Sequence, residues 1–162
     1  LLKLFSESIS KESKKIHSNN IKLKFIGDTS LLTKALQIKI KEIEKETSRN
    51  KRLVLNVALN YGGRLDIVNS VNTFYNNKKK IKKITEKDIN SGLYTKGQSD
   101  VDLLIRTGGQ QRMSNFLLWQ SAYAELFFSK KLWPDFDEKI FVDALYFFQN
   151  TERKFGSVSK ST

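Results

Sequence analysis

Two short apolar runs, each followed by a Gly-Gly pair and an arginine, most constrain how this chain can fold. Residues 53–59 are nearly all apolar and lead into residues 60–64, Asn-Tyr-Gly-Gly-Arg. Residues 101–105 form the second run, and residues 106–109, Arg-Thr-Gly-Gly, follow it. Runs of this length are typical of strands covered on both faces, as in parallel sheets. Because ligands bind beyond the carboxyl ends of such strands, we expect the functional loops to follow these two runs.

Helical and strand-like patterns alternate along the whole chain. We predict strands at residues 21–26, 53–59, 101–105 and 124–128, and helices at residues 1–17, 31–46 and 65–74, after Thr85, from about Ser114, and after a start formed by Asp135 and Glu138. This alternation predicts an α/β fold class, with a mostly parallel central sheet, helices on both faces and a Rossmann-like arrangement. We place a single domain at residues 1–156 and a frayed tail at 157–162.

The lack of cysteine and the single histidine exclude several kinds of site. A chain with no cysteine and one histidine cannot form a zinc finger, a thiol nucleophile or a disulfide framework. Any metal must therefore be held by oxygen ligands. No apolar run reaches the ~20 residues that a membrane span needs. The chain begins with leucine and shows no leader, so we expect the true N-terminus to be missing.

The net charge of +12 comes entirely from the first part of the chain. Residues 1–98 contain 21 Lys and Arg against 9 Asp and Glu, whereas residues 99–162 contain 8 of each. A basic surface attracts nucleic acids and anionic lipids. However, 23 of the 29 cations are lysines, whereas recognition of phosphates and base edges favours arginine. We interpret the lysine run at residues 78–83 as a solvated turn and expect no nucleic-acid partner, with a basic nucleic-acid-binding domain as an alternative.

The loop after the second apolar run carries the chemistry. Arg106 leaves the strand, and Gly108 and Gly109 let the chain turn back with amide groups exposed. Arg112 and Ser114 then come at the start of the next predicted helix. Two guanidinium groups, a hydroxyl and helix-terminal N–H groups would face one small volume, which suits a diphosphate. The alternative is that both arginines pair with surface carboxylates and the glycines only form a turn.

Glu125 lies in an otherwise apolar stretch, residues 123–128. An unpaired carboxylate there would be costly, so we expect a cation beside it. The residues alone leave open whether this cation is a structural Arg or Lys, or Mg²⁺, which binds carboxylate and phosphate oxygens together.

The order and spacing of these residues resemble the cis-prenyltransferase family, in particular its undecaprenyl diphosphate synthase branch. The longest match runs from Asp102 through the arginine loop and Glu125 to Leu132-Trp133-Pro134-Asp135-Phe136. Shorter matches are Ile26-Gly27-Asp28, Asn60-Tyr61-Gly62-Gly63-Arg64 with Asp66, and Glu152-Arg153-Lys154-Phe155-Gly156. Because the matches keep the family order across the chain, the resemblance is more specific than any single glycine loop.

The resemblance implies an enzyme that uses Mg²⁺ to condense isopentenyl diphosphate with an allylic, farnesyl-type diphosphate, giving a long-chain polyprenyl diphosphate. The residues implied to bind isopentenyl diphosphate are Arg106, Arg112, Ser114 and the backbone of Met113, supported by Gly108, Gly109, Asn60 and Arg64. Glu125 is implied to be a Mg²⁺ ligand that reaches the active site of the partner subunit in a homodimer. A cytoplasmic protein is implied, membrane-associated or organellar as alternatives, with a product that associates with membranes. The alternative function is a noncatalytic partner subunit of a heteromeric cis-prenyltransferase.

The chain departs from the family pattern in several places. Gln110 stands where the family usually has Glu, Leu65 replaces a Trp, and Lys154 replaces an Arg. Family members also begin with Asp-Gly-Asn-Gly-Arg-Trp, whose Asp binds Mg²⁺ and whose glycines and arginine hold the allylic diphosphate. This chain does not contain that stretch. We therefore expect it to supply the isopentenyl diphosphate half-site, to lack the allylic half-site with its catalytic residue upstream of Leu1, and to be inactive alone.

Overall fold

The computed structural model describes residues 11–77 and 83–153 of the chain. Its elements are, in order, α1 (residues 11–18), β1 (Ile21–Ile26), α2 (Lys34–Glu46), β2 (Leu53–Ala58), α3 (Gly63–Asn77), α4 (Glu86–Gly92), β3 (Leu103–Arg106), β4 (Glu125–Phe128), a short 3-10 helix (Trp133–Asp135) and α5 (Glu138–Gln149). The predicted α/β class is confirmed, and all four predicted strands are present. The frayed tail predicted at residues 157–162 and most of the lysine run lie outside the described residues.

Both strand pairs are parallel, as the apolar runs predict. β1 pairs with β2, with Ile21 opposite Leu53, and β3 pairs with β4, with Leu103 opposite Glu125. Within residues 11–77 and 83–153 these strands form two separate two-stranded ladders and not one continuous sheet. The carboxyl ends of β2 and β3 lead directly into the two Gly-Gly loops, so the sheet pairs determine where those loops begin.

The prediction that residues 53–59 are covered on both faces is wrong for the first half of β2. Leu53 is 53% exposed, and Val54 and Leu55 are each 39% exposed. Because successive side chains of a strand point to opposite faces, neither face of this half is covered by the residues that the structure describes. An apolar run thus identifies a strand, but the packing of other elements decides its burial.

The core on β1 is built by α2. Leu23 and Ile26 of β1 are buried with the α2 residues Leu36, Ile40 and Ile43, which recur at helical spacing. A second buried group, Phe74, Ile89 and Leu93, lies where α3 and α4 pack together.

Side chains from the end of α2 satisfy the outer edge of β1. The backbone N–H of Leu23 donates to Thr47 Oγ1 at 3.1 Å, and that of Phe25 donates to Glu44 Oε1 at 2.8 Å. Thr47 is fully buried, and its hydroxyl donates to the carbonyl of Ile43 at 2.9 Å. These bonds leave fewer free backbone groups on an edge that would otherwise be open to another strand.

Three helix starts differ from the predicted ones, and α3 begins at Gly63, two residues before Leu65. α2 begins at Lys34, three residues after Leu31, because Thr33 is its N-cap and accepts from the N–H of Leu36. α5 is capped by Asp137, whose Oδ1 accepts from the N–H of Ile140 at 2.9 Å, while Asp135 belongs to the preceding 3-10 helix. Asp and Thr caps compete over a few residues in such stretches, and periodicity does not decide between them.

The helix predicted after Thr85 is confirmed as α4. Thr85 accepts from the N–H of Asp88, and the Asp88 carboxylate accepts from the N–H of Thr85, which completes a capping box. Among the described residues, no helix is long and apolar enough to span a membrane.

Candidate anion-binding site

The loop after β3 turns at Gly108 and Gly109, as predicted. Their φ angles are +88° and +74°, a left-handed conformation that glycine adopts without a Cβ clash. However, the N–H of Gly108 donates to the carbonyl of Lys131 at 2.7 Å, and that of Gly109 to the carbonyl of Ser129 at 2.9 Å. The expectation that these amides are exposed for an anion is therefore wrong. They fasten the turn to the chain that leaves β4.

The predicted helix from Ser114 is also wrong. Ser114, Asn115 and Leu117 have φ angles of +48°, +63° and +45°, and residues 114–123 form turns and bends. L-amino acids visit the left-handed region as single residues and do not build helices there. Helix-terminal N–H groups consequently do not contribute to the site. Residues 114–117 form a tight left-handed turn where the helix start was predicted.

Arg106, at the end of β3, folds back across the loop. Its Nη1 donates to the carbonyl oxygen of Arg112 and to Ser114 Oγ, the latter at 2.8 Å. Arg106, Met113 and Ser114 line one cavity of about 260 Å³, together with Leu104, Ile105 and Phe116. Three of the four residues implied to bind isopentenyl diphosphate thus share a single cavity with an apolar side.

Arg112 is connected to this cavity but does not line it. Its exposed guanidinium donates to Gln110 Oε1, while its backbone carbonyl accepts a hydrogen bond from Arg106 Nη1. Neither Arg106 nor Arg112 forms a salt bridge with a carboxylate within the described part of the chain. The alternative, in which both arginines only pair with surface carboxylates, is therefore not what the structure shows.

The start of α3 holds the left-handed turn of residues 114–117. The N–H of Gly63 donates to the carbonyl of Asn115 at 2.7 Å, and the N–H of Arg64 donates to Asn115 Oδ1 at 2.9 Å. A Cβ at Gly63 would lie 2.9 Å from Leu118 Cγ, so the close approach of the two loops requires glycine. Of the two residues expected to support the site here, Arg64 contributes through its backbone N–H.

Asn60 acts elsewhere. Its Nδ2 donates to the carbonyl of Asp28 at 3.3 Å, and its own carbonyl accepts from the N–H of Asp28. Asn60 therefore joins the chain leaving β2 to the chain leaving β1 and makes no described contact with the cavity.

The Asp28 carboxylate accepts from Ser30, and this hydrogen bonding lowers the pKa of that carboxyl below its usual value.

A buried cluster around Asp66 was not assigned a role from the sequence. Asp66 is 1% exposed and accepts from the Tyr61 hydroxyl at 2.9 Å, the N–H of Tyr94 at 2.9 Å and Gln120 Nε2 at 3.0 Å. The Tyr61 ring lies 5.7 Å from that of Phe116, which lines the cavity. Burial, followed by the bond to Asp66, raises the pKa of Tyr61 well above its usual value, so its hydroxyl keeps the proton. The position of Asp66 just after the Gly-Gly-Arg motif was the available signal.

Glu125 has a cation beside it, and that cation is an arginine. Its side chain is 24% exposed, and Oε1 lies 3.9 Å from Arg153 Nε. The same guanidinium donates from Nη1 to Asp102 Oδ1 at 2.6 Å. Residues 11–77 and 83–153 contain no group of three His, Cys, Asp or Glu side chains placed to hold a metal. The described residues do not by themselves fit a Mg²⁺ site, and Glu125 offers one carboxylate.

Comparison with known proteins places these features in one family. The family model described as "Putative undecaprenyl diphosphate synthase" matches residues 1–156. Ditrans,polycis-undecaprenyl-diphosphate synthases specific for (2E,6E)-farnesyl diphosphate are similar throughout: that of Pasteurella multocida is 46% identical over 99% of this chain, and that of Haemophilus influenzae 47% identical over 96%. The chain spans 68% and 67% of these two relatives, and 65% of the one from Yersinia pestis, or about two thirds of their length.

Solved structures agree with this result. A probable undecaprenyl diphosphate synthase from Campylobacter jejuni matches with a TM-score of 0.87 and 33% identity, over 96% of this chain and 73% of that one. Lavandulyl diphosphate synthase from Lavandula x intermedia, solved with dimethylallyl diphosphate, matches with a TM-score of 0.89 and 32% identity, over 96% and 69%.

Proposed function

This chain belongs to the undecaprenyl diphosphate synthase family of prenyltransferases, and from that premise we propose that it carries the isopentenyl diphosphate half-site of a chain-elongating enzyme. The complete protein that contains it would condense isopentenyl diphosphate with an allylic, farnesyl-type diphosphate. Repeated condensation would give a long-chain polyprenyl diphosphate.

The observation that carries the proposal is the cavity shared by Arg106, Met113 and Ser114. A guanidinium and a hydroxyl 2.8 Å apart offer charge-assisted hydrogen bonds to a diphosphate. Leu104, Ile105 and Phe116 form the apolar part of the same cavity, which fits the five-carbon isopentenyl group. One cavity therefore offers polar and apolar surfaces to the two ends of the substrate.

The proposed contribution of these residues to the reaction is binding and orientation. The alkene of isopentenyl diphosphate is the nucleophile: its C4 bonds to the allylic carbon as the bond from that carbon to the allylic diphosphate breaks. A proton then leaves C2 of the isopentenyl unit to water or to the released diphosphate, which restores a double bond. A diphosphate fixed at Arg106 and Ser114 holds that alkene in one orientation and removes the entropy cost of aligning it. Leu104, Ile105 and Phe116 offer an apolar surface beside the proposed position of the five-carbon group.

We propose that the allylic half-site and the Mg²⁺ ligands come largely from outside this chain. Mg²⁺ stabilises a departing diphosphate when bound. Glu125 would provide one carboxylate ligand in the partner subunit of a homodimer, in exchange for its pairing with Arg153. Gln110, which stands where the family usually has Glu, places a neutral amide beside Arg112. The positive charge of Arg112 is still present.

We propose α5 as the surface through which the homodimer forms. Phe141 is 45%, Leu145 44% and Tyr146 61% exposed, so this helix presents large apolar side chains. We expect light scattering of the complete protein to give twice its chain mass, and a monomer mass at micromolar concentration would contradict the dimer.

We also propose a cytoplasmic enzyme whose product enters membranes, which fractionation of cells expressing it would check.

A turnover assay tests the proposed function. The complete protein and the 162-residue chain are each incubated with farnesyl diphosphate, radiolabelled isopentenyl diphosphate and Mg²⁺, with a chelator-treated control. We expect polymer from the complete protein and little or none from the chain alone. Normal polymer formation by the 162-residue chain would refute the missing half-site. A complete protein without activity would favour the noncatalytic partner subunit.

A further inference from the structure

The left-handed turn of residues 114–117 is unfavourable for the chain on its own. Ser114, Asn115 and Leu117 all have φ between +45° and +63°, and none of them is glycine. Such conformations persist only where surrounding structure holds them, and they cluster at functional sites. Ser114 is also one of the polar groups of the cavity. The contacts that hold the turn therefore determine where the Ser114 hydroxyl lies.

Besides the bond from Arg106 Nη1 to Ser114 Oγ, two kinds of contact hold this turn. The backbone carbonyl of Asn115 accepts a hydrogen bond from the N–H of Gly63, and its side-chain Oδ1 accepts one from the N–H of Arg64. Phe116 is fixed by an edge-to-face contact with the Tyr61 ring, with 5.7 Å between ring centroids and 78° between ring planes. Both contacts come from the segment between β2 and α3 and from the first turn of α3.

The buried carboxylate of Asp66 holds the Tyr61 side chain in place. Its hydroxyl donates to Asp66 Oδ2 at 2.9 Å. Asp66 is held in turn by the N–H of Tyr94 and by Gln120 Nε2, and Gln120 also donates to Thr95 Oγ1 at 2.9 Å. A buried carboxylate with these partners has little freedom to move, because each lost hydrogen bond would leave it unsatisfied. The ring position of Tyr61 is thereby set by the fold.

We propose that Tyr61 is a positioning residue for isopentenyl diphosphate: its hydroxyl on Asp66 and its ring against Phe116 hold the left-handed turn that presents Met113 and Ser114 to the substrate. This inference rests on the proposed function, since it assumes that the cavity binds isopentenyl diphosphate. It adds a role for a residue that does not line the cavity.

The test compares Tyr61→Phe with Tyr94→Phe in the complete protein. Both changes remove one hydroxyl from the same aromatic pair, whose ring centroids lie 6.2 Å apart. The Tyr94 hydroxyl accepts from Asn69 Nδ2 at 3.1 Å, whereas the Tyr61 hydroxyl is the one bound to Asp66. Because the lost hydrogen bond acts on the substrate only through the turn, we expect part of its effect to reach binding, a rise of roughly three- to tenfold in the KM for isopentenyl diphosphate of Tyr61→Phe. The KM for farnesyl diphosphate and the kcat change less than twofold, and Tyr94→Phe leaves all three values within twofold.

Equal effects of the two variants, or no change in the isopentenyl diphosphate KM of Tyr61→Phe, would overturn the proposal. So would a fall in kcat and a rise in both KM values together, because that pattern indicates a general loss of structure. Hydrogen exchange of the amides at residues 114–117 gives a readout without turnover. We expect faster exchange there in Tyr61→Phe than in Tyr94→Phe, and identical exchange would refute the positioning role even if the proposed activity is present. An inactive complete protein with the expected exchange difference would refute the proposed function alone.

Discussion

Arg106 has two roles at the scale of single residues. Its guanidinium closes the loop by donating to the carbonyl of Arg112 and to the hydroxyl of Ser114, and it also lines the cavity. A residue used in this way cannot be replaced by lysine without loss, because an ammonium lacks the planar, multidonor geometry. The side chain of the second cation, Arg112, is held less tightly than that of Arg106, since it is exposed and bound to a neutral amide.

Arg112→Ala in the complete protein tests the role of this less tightly held cation. We expect the KM for isopentenyl diphosphate to rise and turnover to fall, the KM by at least about tenfold, since a charge-assisted bond to a diphosphate contributes about 1.5–3 kcal/mol and 1.4 kcal/mol is a factor of ten. Steady-state kinetics measure both values. Arg49→Ala, which removes an exposed charge after α2, is the matched control and should change neither. Kinetics of Arg112→Ala equal to those of the control would exclude Arg112 from the site.

Glu125 separates a metal role from a structural one. We expect Glu125→Gln to raise the Mg²⁺ concentration for half-maximal activity severalfold, because a carboxylate is a far better Mg²⁺ ligand than an amide. A metal titration of the complete protein measures the shift, with Glu46→Gln at the exposed end of α2 as the control. If the titration curve is unaltered, the carboxylate acts only as the partner of Arg153.

The residue types of the site followed from the sequence, but their exact contacts did not. Arg106, Ser114 and the Gly108–Gly109 turn were predicted from spacing and resemblance, and the structure brings Arg106 and Ser114 together. That the glycine amides bond to residues 129 and 131 depends on contacts with a segment about 20 residues away. Local patterns do not encode such contacts.

At the scale of elements, side chains from the end of α2 bond to backbone groups of β1 as a neighbouring strand would. Thr47 accepts the N–H of Leu23 and donates to Ile43, so one hydroxyl joins the end of α2 to the strand. Thr47 is fully buried and cannot exchange these bonds for water.

Thr47→Val keeps the shape of the side chain and removes the hydroxyl. Because the N–H of Leu23 then has no described partner in a buried place, we expect unfolding to become easier by about 1–3 kcal/mol. Urea denaturation of the 162-residue chain measures this loss. Thr73→Val, at an exposed position inside α3, is the control and should cost about 0.5 kcal/mol or less. A loss for Thr47→Val no larger than for the control would mean that the edge is satisfied in another way.

Strands and most helices were predictable because their apolar spacing is local. The segment after Ser114 was not, because its apolar residues satisfy a helical pattern while Ser114, Asn115 and Leu117 adopt left-handed backbone. Contacts from Gly63, Arg64 and Tyr61 stabilise that backbone from a distant part of the chain. Tertiary contacts here override local propensity.

At the scale of the whole molecule, the two parallel ladders bring the two Gly-Gly loops together. Tyr61 lies between β2 and α3, and Gly63 and Arg64 begin α3. These three residues hold the turn of residues 114–117, which also bonds to Arg106 at the end of β3. The α/β class was therefore predictable, and the cavity lies at the carboxyl end of β3, where such sheets bind ligands. The exposure of β2 was not, since it depends on what packs against both faces of the strand.

The central claim is that the cavity after β3 binds the diphosphate of isopentenyl diphosphate. A crystal structure of the complete protein with isopentenyl diphosphate tests it most directly. We predict phosphate oxygens within hydrogen-bond distance of Arg106 Nη1 and Ser114 Oγ, with the five-carbon group against Leu104, Ile105 and Phe116. Density for the ligand at another place, with Arg106 and Ser114 still bonded only to each other and to residue 112, would contradict the account.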